Sequence, residues 1–322
     1  MATLKDVAEA AKVSMITVSR VINTPDKVKP ATRQKIEKTM AALQYIPNVA
    51  AKNLVTKRAG VIDVYIPESI DLSNPFVMHL IAGISDTLSR HMYSFLILRN
   101  RGKEHFCDGY VVTGLRKHEI IDFYRYAKEH HRPVALFGHT DIPEVDCIDV
   151  NNVLGAKLAT EYLVGKGHRK IVMINVDEDK DYTVDRLEGY QSVLREHEIP
   201  FSGDSIVYAA NNVKGGYAAA ESLLKSQEFT GIFCATDTLA LGAVKAVTEM
   251  GLKVPEDISI VGFDGLGHQL LTNPHITTVQ QPIYEIGRML AQALLDRING
   301  EQDRITRLVE PMLLEEYSVS SR

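Results

Sequence analysis

Side chains able to form hydrogen bonds lie in the predicted loops after the apolar runs of this 322-residue chain. They are carboxylates, amides and one arginine, and one phenylalanine lies among them. They lie in Asn74-Pro75-Phe76, Asp149-Val150-Asn151-Asn152, the segment 181–186, Thr236-Asp237 and Asp264-Gly265. Carboxylates and amides can bond hydroxyl groups, and an aromatic ring can stack on a sugar face. The pattern predicts a cleft for a small hydroxyl-rich ligand.

The apolar runs alternate with helical patterns, and they form two similar series. The first series lies at 61–67, 93–100, 109–114 and 133–138, and the second at 170–176, 204–210, 231–237 and 258–264. This alternation predicts an α/β fold of parallel sheets covered by helices. Ligands of such sheets bind at the carboxyl ends of the strands, which is where the polar groups fall.

Charge is unevenly distributed along the chain. Residues 1–60 contain 11 Lys and Arg but only 4 acids, so they carry +7, whereas the other 262 residues carry −12. A small basic segment attached to an acidic body is typical of nucleic-acid contact at one end only.

Composition and motifs exclude several classes of protein. No apolar run approaches the ~18 residues of a membrane span, and the charged N-terminus does not fit a signal peptide, so we expect a cytoplasmic protein. Three widely spaced cysteines predict neither a disulfide scaffold nor a zinc site. Motifs for catalytic nucleophiles, metalloproteases and nucleotide binding are missing, so we expect no catalytic residue, no metal and no cofactor.

The basic segment has the pattern of a helix-turn-helix. Thr3 and Asp6 form a predicted capping box, and Ser14 offers a second N-cap after a short turn. Pro30 is placed to start a third helix, with Ile36, Met40 and Leu43 as its inner stripe. A three-helix bundle without a ligand is the alternative.

The segments TLKDVAEAAKVSMITVSRVIN and VKPATRQKIEKTMAALQYIPNVAAKNL strongly resemble the head of the lactose/galactose repressor (LacI/GalR) family. The resemblance implies that residues 1–46 bind DNA, with the helix that begins near Ser14 in the major groove. Base reading would then fall to Met15, Ile16 and Arg20, of which Arg20 can donate two hydrogen bonds to guanine. Phosphate contacts would fall to Ser14, Thr17, Ser19, Asn23 and Thr32.

Residues 47–59 resemble the family hinge, which becomes helical on operator DNA. The resemblance implies that Leu54 wedges into the minor groove and that Ala51 lets two hinge helices touch across a dimer axis. Asn48 and Lys52 complete the predicted hinge contacts, and Lys52 stands where Arg is common. An ordinary linker is the alternative.

Looser matches, among them DRLEGY, CATDTLALGAVKAV and LKVPEDISIVGFD, extend the resemblance over residues 60–322. They imply a two-lobed core like that of periplasmic sugar-binding proteins, with three crossings between lobes. We expect the N-terminal lobe at about 60–160 plus 282–309, and the C-terminal lobe at about 161–281 plus 310–322. The implied effector ligands are Arg186, Asp264, Phe76, Thr236 and Gln281. The alternatives are that Asp264 caps a helix and that Phe76 belongs to the core.

One segment departs from the family. Only ten residues, 99–108, separate two predicted strands, where relatives have a full helix and a parallel crossover normally needs a dozen residues. Either the edge of the lobe is rebuilt, or the deletion affects dimerisation or signalling.

These observations predict a homodimeric repressor of sugar-use genes, released from palindromic double-stranded operator DNA by a sugar or sugar phosphate. A first alternative is a catabolite-control-type regulator whose DNA binding is strengthened by a phosphorylated protein corepressor. A plain sugar-binding protein is a second alternative, which the +7 segment and the missing signal peptide disfavour, and an enzyme is a distant third. We expect no membrane partner.

Overall fold

The computed structural model describes residues 2–23, 27–45, 58–100 and 105–322. The chain divides into two compact units, residues 1–60 and residues 61–322. Within the described ranges, no helix combines the length and apolar character needed to cross a membrane.

In its described residues, the first unit contains three short helices, α1 (Leu4–Ala11), α2 (Met15–Asn23) and α3 (Pro30–Ala42). They bury one small apolar core made of Val7, Ala8, Ala11, Val18, Val21 and Ile36. The predicted helix-turn-helix and third helix are therefore confirmed. The predicted inner stripe of α3 is wrong at its end, because Leu43 is 36% exposed and Tyr45 packs on the core instead.

Local capping explains where α1 begins and ends. Thr3 accepts a hydrogen bond from the Asp6 amide, and the Asp6 carboxylate accepts one from the Thr3 amide at 2.7 Å, as the capping box predicts. The helix ends at Lys12, whose φ of 51° lies in the left-handed region. A lysine at this φ costs about 1–2 kcal/mol relative to glycine, and it keeps a positive charge on the turn.

Over residues 61–100 and 105–322, the second unit forms two six-stranded sheets, each belonging to one lobe. The first has the order β11-β5-β4-β3-β1-β2 and is parallel throughout. The second has the order β12-β10-β9-β8-β6-β7, in which only β12 is antiparallel. The strands are β1 (Val61–Tyr65), β2 (Ser94–Leu98), β3 (Gly109–Val112), β4 (Val134–Phe137), β5 (Asp146–Val150), β6 (Ile171–Val176), β7 (Ile206–Ala209), β8 (Gly231–Cys234), β9 (Ser259–Asp264), β10 (Thr277–Gln280), β11 (Thr306–Val309) and β12 (Met312–Leu314).

Helices cover both faces of each sheet, as the alternating pattern predicts. They are α4 (Pro75–Arg90), α5 (Lys117–Glu129), α6 (Asn152–Gly165), α7 (Asp181–Glu196), α8 (Val213–Ser226), α9 (Asp237–Glu249) and α10 (Ile283–Ile298). In the first lobe, α4 and α10 cross at very short distance. A Cβ at Gly83 would lie 2.0 Å from the Tyr284 carbonyl oxygen, and one at Gly287 would lie 2.4 Å from the Leu80 carbonyl oxygen.

The chain passes between the sheets three times: after β5, after β10 and after β11. The first crossing differs from the predicted boundary near residue 160. The chain leaves the first sheet after Val150, and Ala156, Ala159 and Leu163 of α6 are buried in the core of the second sheet. Asp149 and Val150, which we expected in a loop, are the last residues of β5.

The short connection 99–108 joins edge strand β2 to β3 past the central strand β1. Its described residues, 99–100 and 105–108, contain no helix. Instead, His105 Nε2 lies 2.8 Å from the carboxylate of buried Asp63 on β1, and Cys107 is buried beside them. Leu96 on β2 stays 46% exposed. The pair of His105 and Asp63 thus covers β1 at this connection. The family resemblance implies a helix at the same place in relatives.

The C-terminal segment is held in the second lobe by a fully buried histidine. His168 Nε2 lies 3.0 Å from the Ser320 carbonyl oxygen, and Nδ1 lies 2.8 Å from Thr230 Oγ1. Because a carbonyl can only accept, Nε2 carries the proton and the hydroxyl donates to Nδ1. Burial lowers the pKa of His168, since the charged imidazolium would lose its hydration.

This lowered pKa predicts a pH-dependent stability. Below the unfolded-state pKa of about 6.5, the unfolded chain binds a proton that the folded chain resists, so stability falls by up to about 1.4 kcal/mol per pH unit. The loss stops once the folded pKa is reached. We expect the difference in Tm between the wild type and His168→Gln, measured by calorimetry from pH 8 to pH 5, to shrink as pH falls. A constant difference would contradict a neutral buried imidazole.

Candidate functional site

The exposed face of α2 carries the side chains predicted to read bases. Met15 is 50% exposed, Ile16 is 65% exposed, and Arg20 is exposed as well. Val18 and Val21 on the same helix are buried in the core of the unit. Two large apolar side chains are thus presented to solvent beside an arginine, on a helix whose opposite face is anchored.

The residues predicted to hold phosphates lie at the start of α2, along it and at its end, and in the first turn of α3. Ser14 Oγ accepts a hydrogen bond from the Thr17 amide at 3.2 Å, so Ser14 caps α2, and its hydroxyl lies 2.9 Å from Thr17 Oγ1. Ser19 and Thr32 are partly exposed, and Asn23 is the last residue of α2. The predicted hinge residues lie outside the described residues: Asn48, Ala51, Lys52 and Leu54.

A cleft of about 340 Å³ lies between the two lobes, at the carboxyl ends of the parallel strands. It brings together all five residues predicted to bind an effector. Its lining comprises Ser69, Ile70, Asp71, Asn74, Phe76, Thr113, Gly114, Leu115, Ile120, Phe137, Gly138, His139, Asp149, Asn152, Glu178, Lys180, Asp181, Tyr182, Arg186, Asn211, Thr236, Asp264 and Gln281.

Arg186 on α7 lines the cleft, although only 4% of it is exposed. Its Nε donates to Asn152 Oδ1 at 2.9 Å, and its Nη1 donates to the Ala235 carbonyl. The guanidinium lies 3.6 Å from the centre of the Phe263 ring and 4.8 Å from that of Tyr182. Hydrogen bonds and aromatic faces therefore fix the cation rigidly.

Asp264 ends β9 beside that arginine. Its Oδ1 lies 3.9 Å from Arg186 Nη1 and accepts a hydrogen bond from Gln281 Nε2 at 2.6 Å. Burial raises the pKa of Asp264, and the neighbouring guanidinium opposes this rise. Asp264 does not cap the following 3-10 helix, whose N-cap is Gly267, so that alternative is wrong.

The backbone of Asp264 is strained. Its φ is 135°, a value that side chains other than glycine's rarely allow. Next to it, the fully buried Asp237 accepts hydrogen bonds from the Gly265 amide at 2.8 Å and from Thr278 Oγ1 at 2.6 Å. These bonds hold the turn after β9. Burial and the charge of Asp264 raise the pKa of Asp237.

Thr236 and Asn211 form a pair on the second lobe. Thr236 Oγ1 donates to Asn211 Oδ1 at 2.8 Å and accepts from the Leu239 amide at 3.2 Å, so it also caps α9. We did not predict Asn211 as a site residue. It follows β7, and applying the strand-end rule to the run 204–210 would have found it.

Phe76 is half-buried at the start of α4 and packs edge-on against Phe137 at 5.1 Å between ring centres. It contacts the core of the first lobe and also lines the cleft. Phe76 therefore belongs both to the core, as the alternative predicted, and to the cleft lining.

Asp149 of the first lobe lines the cleft and lies near carboxylates of α7 in the second lobe. Burial raises the pKa of Asp149 on β5 to about 7, and the charge of Asp185 on α7 adds to the rise. Lys117 Nζ on the first lobe lies 2.8 Å from Oδ1 of Asp181, a cleft-lining residue of the second lobe. Within the described ranges, no group of three or more His, Cys, Asp or Glu could hold a metal ion. The cleft is thus equipped for hydrogen bonding and stacking.

A helix-turn-helix unit joined to a two-lobed unit with an interlobe cleft defines a ligand-binding DNA-binding regulator. Residues 3–48 match the lacI family of bacterial regulatory proteins, and residues 160–318 match the periplasmic binding protein-like domain. The chain belongs to the LacI family.

Full-length relatives and solved structures agree with this assignment. The uncharacterized regulator YvdE of Bacillus subtilis is 38% identical over 94% of each chain. The repressor CytR of Escherichia coli K12 is 34% identical over 93% of this chain and 91% of its own. The structure of CelR with cellobiose aligns with a TM-score of 0.75 and 28% identity, covering 99% and 100% of the two chains. The operator-bound Lac repressor dimer aligns with a TM-score of 0.75 and 26% identity, covering 99% of each.

The strain at Asp264 predicts an unusual order of stability among its variants. Asp264→Gly and Asp264→Ala both remove the carboxylate, but only glycine relaxes at a φ of 135°. We expect the glycine variant to be more stable than the alanine variant by about 1–3 kcal/mol in urea unfolding. Equal stabilities would show that the backbone is not strained at this position.

Proposed function

We propose that this protein is a repressor of carbohydrate-utilisation genes that a small sugar releases from operator DNA. The observation that carries the proposal is one chain with both sites: the exposed face of α2, with Met15, Ile16 and Arg20, and the polar cleft of the second unit. The operator-bound and cellobiose-bound relatives support both halves of the proposal.

On the DNA side, α2 lies in the major groove. Arg20 donates two hydrogen bonds to a guanine edge, while Met15 and Ile16 contact thymine methyl groups. Ser14, Thr17, Ser19, Asn23 and Thr32 hold phosphates and fix the register without reading sequence. We propose a homodimer on a palindromic operator, with Leu54 in the minor groove and Asn48, Ala51 and Lys52 around it. This function places the protein in the bacterial cytoplasm.

On the ligand side, Arg186, Asp264, Thr236 and Gln281 present hydrogen-bonding groups from the second lobe, and Phe76 presents a ring from the first. A sugar bound between them contacts both lobes at once and stabilises their closed arrangement. If that arrangement binds DNA more weakly, sugar and operator compete energetically. A coupling of about 1–3 kcal/mol changes operator affinity by about 5–150-fold.

The sign of this coupling separates the proposal from its alternative. A catabolite-control-type regulator would bind DNA more tightly with a phosphorylated protein corepressor, so a sugar alone would not release it. We propose release by the sugar, because the cleft itself carries the hydrogen-bonding groups of a small-molecule site.

Arg20→Ala tests the reading of bases. We expect operator affinity to fall by about 1–3 kcal/mol and the preference at one base pair of each half-site to relax. Binding to a library of operator variants measures both effects. Arg33→Ala on α3 is the matched control, because it removes the same charge and should weaken binding evenly across sequences. Unchanged base preference in Arg20→Ala would contradict the placement of α2.

Arg186→Lys tests the cleft while retaining its positive charge. Lysine loses the paired bonds to Asn152 and the Ala235 carbonyl, so we expect sugar-induced release to weaken at least tenfold with operator affinity unchanged. The measurement is operator binding by fluorescence anisotropy across a series of sugars. Arg195→Lys, an exposed change in the last turn of the same helix, is the control. A normal sugar response in Arg186→Lys would remove Arg186 from the site.

A further inference from the structure

We infer that the cleft accepts an uncharged polyhydroxyl ligand and rejects its phosphorylated counterpart. This inference rests on the proposed function and narrows its ligand class. It is carried by the charges that line the cleft, by the partners of its cations and by the state of the helix N-termini that open into it.

The charged lining is predominantly acidic. In the described part of the chain it contains the acids Asp71, Asp149, Glu178, Asp181 and Asp264 but only two lysine or arginine side chains, Lys180 and Arg186. Its histidine, His139, has Nε2 3.5 Å from the carboxylate of Asp141. Burial raises the pKa of Asp149 to about 7, and Asp181 is paired with Lys117 at 2.8 Å. The other three acids of the lining still outnumber its two cations, so a phosphate dianion entering this cleft would meet more negative than positive charge.

Both lining cations already have carboxylate neighbours. Lys180 Nζ lies 2.8 Å from Glu178 Oε2, and Glu178 also accepts a hydrogen bond from Tyr182 Oη at 3.2 Å. Arg186 bonds Asn152 and the Ala235 carbonyl and lies beside Asp264. A phosphate group is usually held by a bidentate arginine or a lysine charge, and using either here would mean separating an existing pair.

Helix N-termini, the other common anion sites, are also occupied. Four helices begin at residues in or next to the lining. Asn74 caps α4 through the Phe76 amide at 2.9 Å, Asn151 caps α6 through the Leu154 amide at 3.0 Å, and Thr236 caps α9. The fourth, α7, carries Asp181 in its first turn, so a carboxylate already stands at its positive end.

The remaining groups suit hydroxyl donors. Ionised carboxylates only accept hydrogen bonds, so a ligand rich in O–H groups can satisfy several of them without adding charge. The Phe76 and Phe137 rings provide an apolar surface for the C–H face of a sugar ring. A volume of about 340 Å³ lies near the lower end of ligand pockets, which span about 300–1,000 Å³, and fits a ligand of one or two sugar rings.

Glu178 is the residue on which rejection of the anion depends most directly. Its carboxylate neutralises Lys180, whereas glutamine would keep the size and an acceptor oxygen but leave the lysine charge uncompensated. The surface pair of Lys157 and Glu196, 3.1 Å apart, offers a matched control, because Glu196 is not among the lining residues.

The test is isothermal titration of the full chain with matched probes: glucose, glucosamine and glucose 6-phosphate, ribose and ribose 5-phosphate, and cellobiose and maltose with their 6-phosphates. We expect at least one uncharged sugar to bind, at least 100-fold more tightly than its phosphate. Tighter or equal binding of a phosphate, or tighter binding of glucosamine than of any neutral sugar, would overturn the inference but leave a sugar-released repressor intact. If no probe binds and none changes operator affinity, the proposed sugar response is itself wrong, and the inference falls with it.

The same titration on two variants tests the role of Glu178. We expect Glu178→Gln to reduce the preference for the uncharged sugar at least tenfold by improving phosphate binding, and Glu196→Gln to leave it unchanged. An unchanged preference in Glu178→Gln, with the sugar still bound, would show that the Lys180–Glu178 pair does not exclude anions.

Discussion

The burial of one cation, Arg186, organises the ligand-facing edge of the second lobe. Removing a guanidinium from water costs several kcal/mol unless hydrogen bonds and charges replace its hydration. Here the replacements come from four separate elements: Asn152 at the start of α6, the carbonyl after β8, the carboxylate that ends β9, and rings on β9 and α7. Each of these elements has to place its group beside the guanidinium for the buried cation to be stable. Contacts within the protein therefore hold Arg186 in its place in the cleft lining.

The burial of Arg186 also accounts for the backbone strain and the buried carboxylates nearby in the cleft. Asp264 adopts a backbone conformation that favours glycine, and its carboxylate lies between Arg186 and Gln281. Asp237 is buried behind it and held by the turn that Asp264 begins. Strain and buried charge of this kind reduce stability, and they concentrate where a preorganised polar surface is needed. The cleft thus has the properties of a binding site, with local stability given up for fixed geometry.

Sequence alone predicted most of what depends on local pattern. Capping residues and apolar spacing located α1, α2 and α3. The rule that ligands bind where parallel strands end placed the segments of Asp264, Thr236 and Phe76 at the cleft, while their choice as effector ligands came from the family resemblance. It could not assign α6 to a lobe, because the apolar stripe of Ala156, Ala159 and Leu163 does not indicate which sheet it covers. It also missed short strands with little apolar character, such as β11, and it missed Asn211 because the rule was not applied after β7. The pairing of Lys180 with Glu178 depends on side-chain geometry that no spacing encodes.

The close crossing of α4 and α10 has a consequence for synthesis on the ribosome. The core of the first lobe takes Ile283, Ile286, Leu290 and Leu294 from a helix that follows the whole second lobe in the chain. Residues 61–150 therefore emerge first but have to wait for α10 and β11 before their sheet is covered, while the second lobe has most of its own core by residue 281. Although domains usually fold from the N-terminus during translation, this order favours completion of the second lobe first. Until α10 has been synthesised, the nascent first lobe exposes an apolar sheet face to which a chaperone can bind.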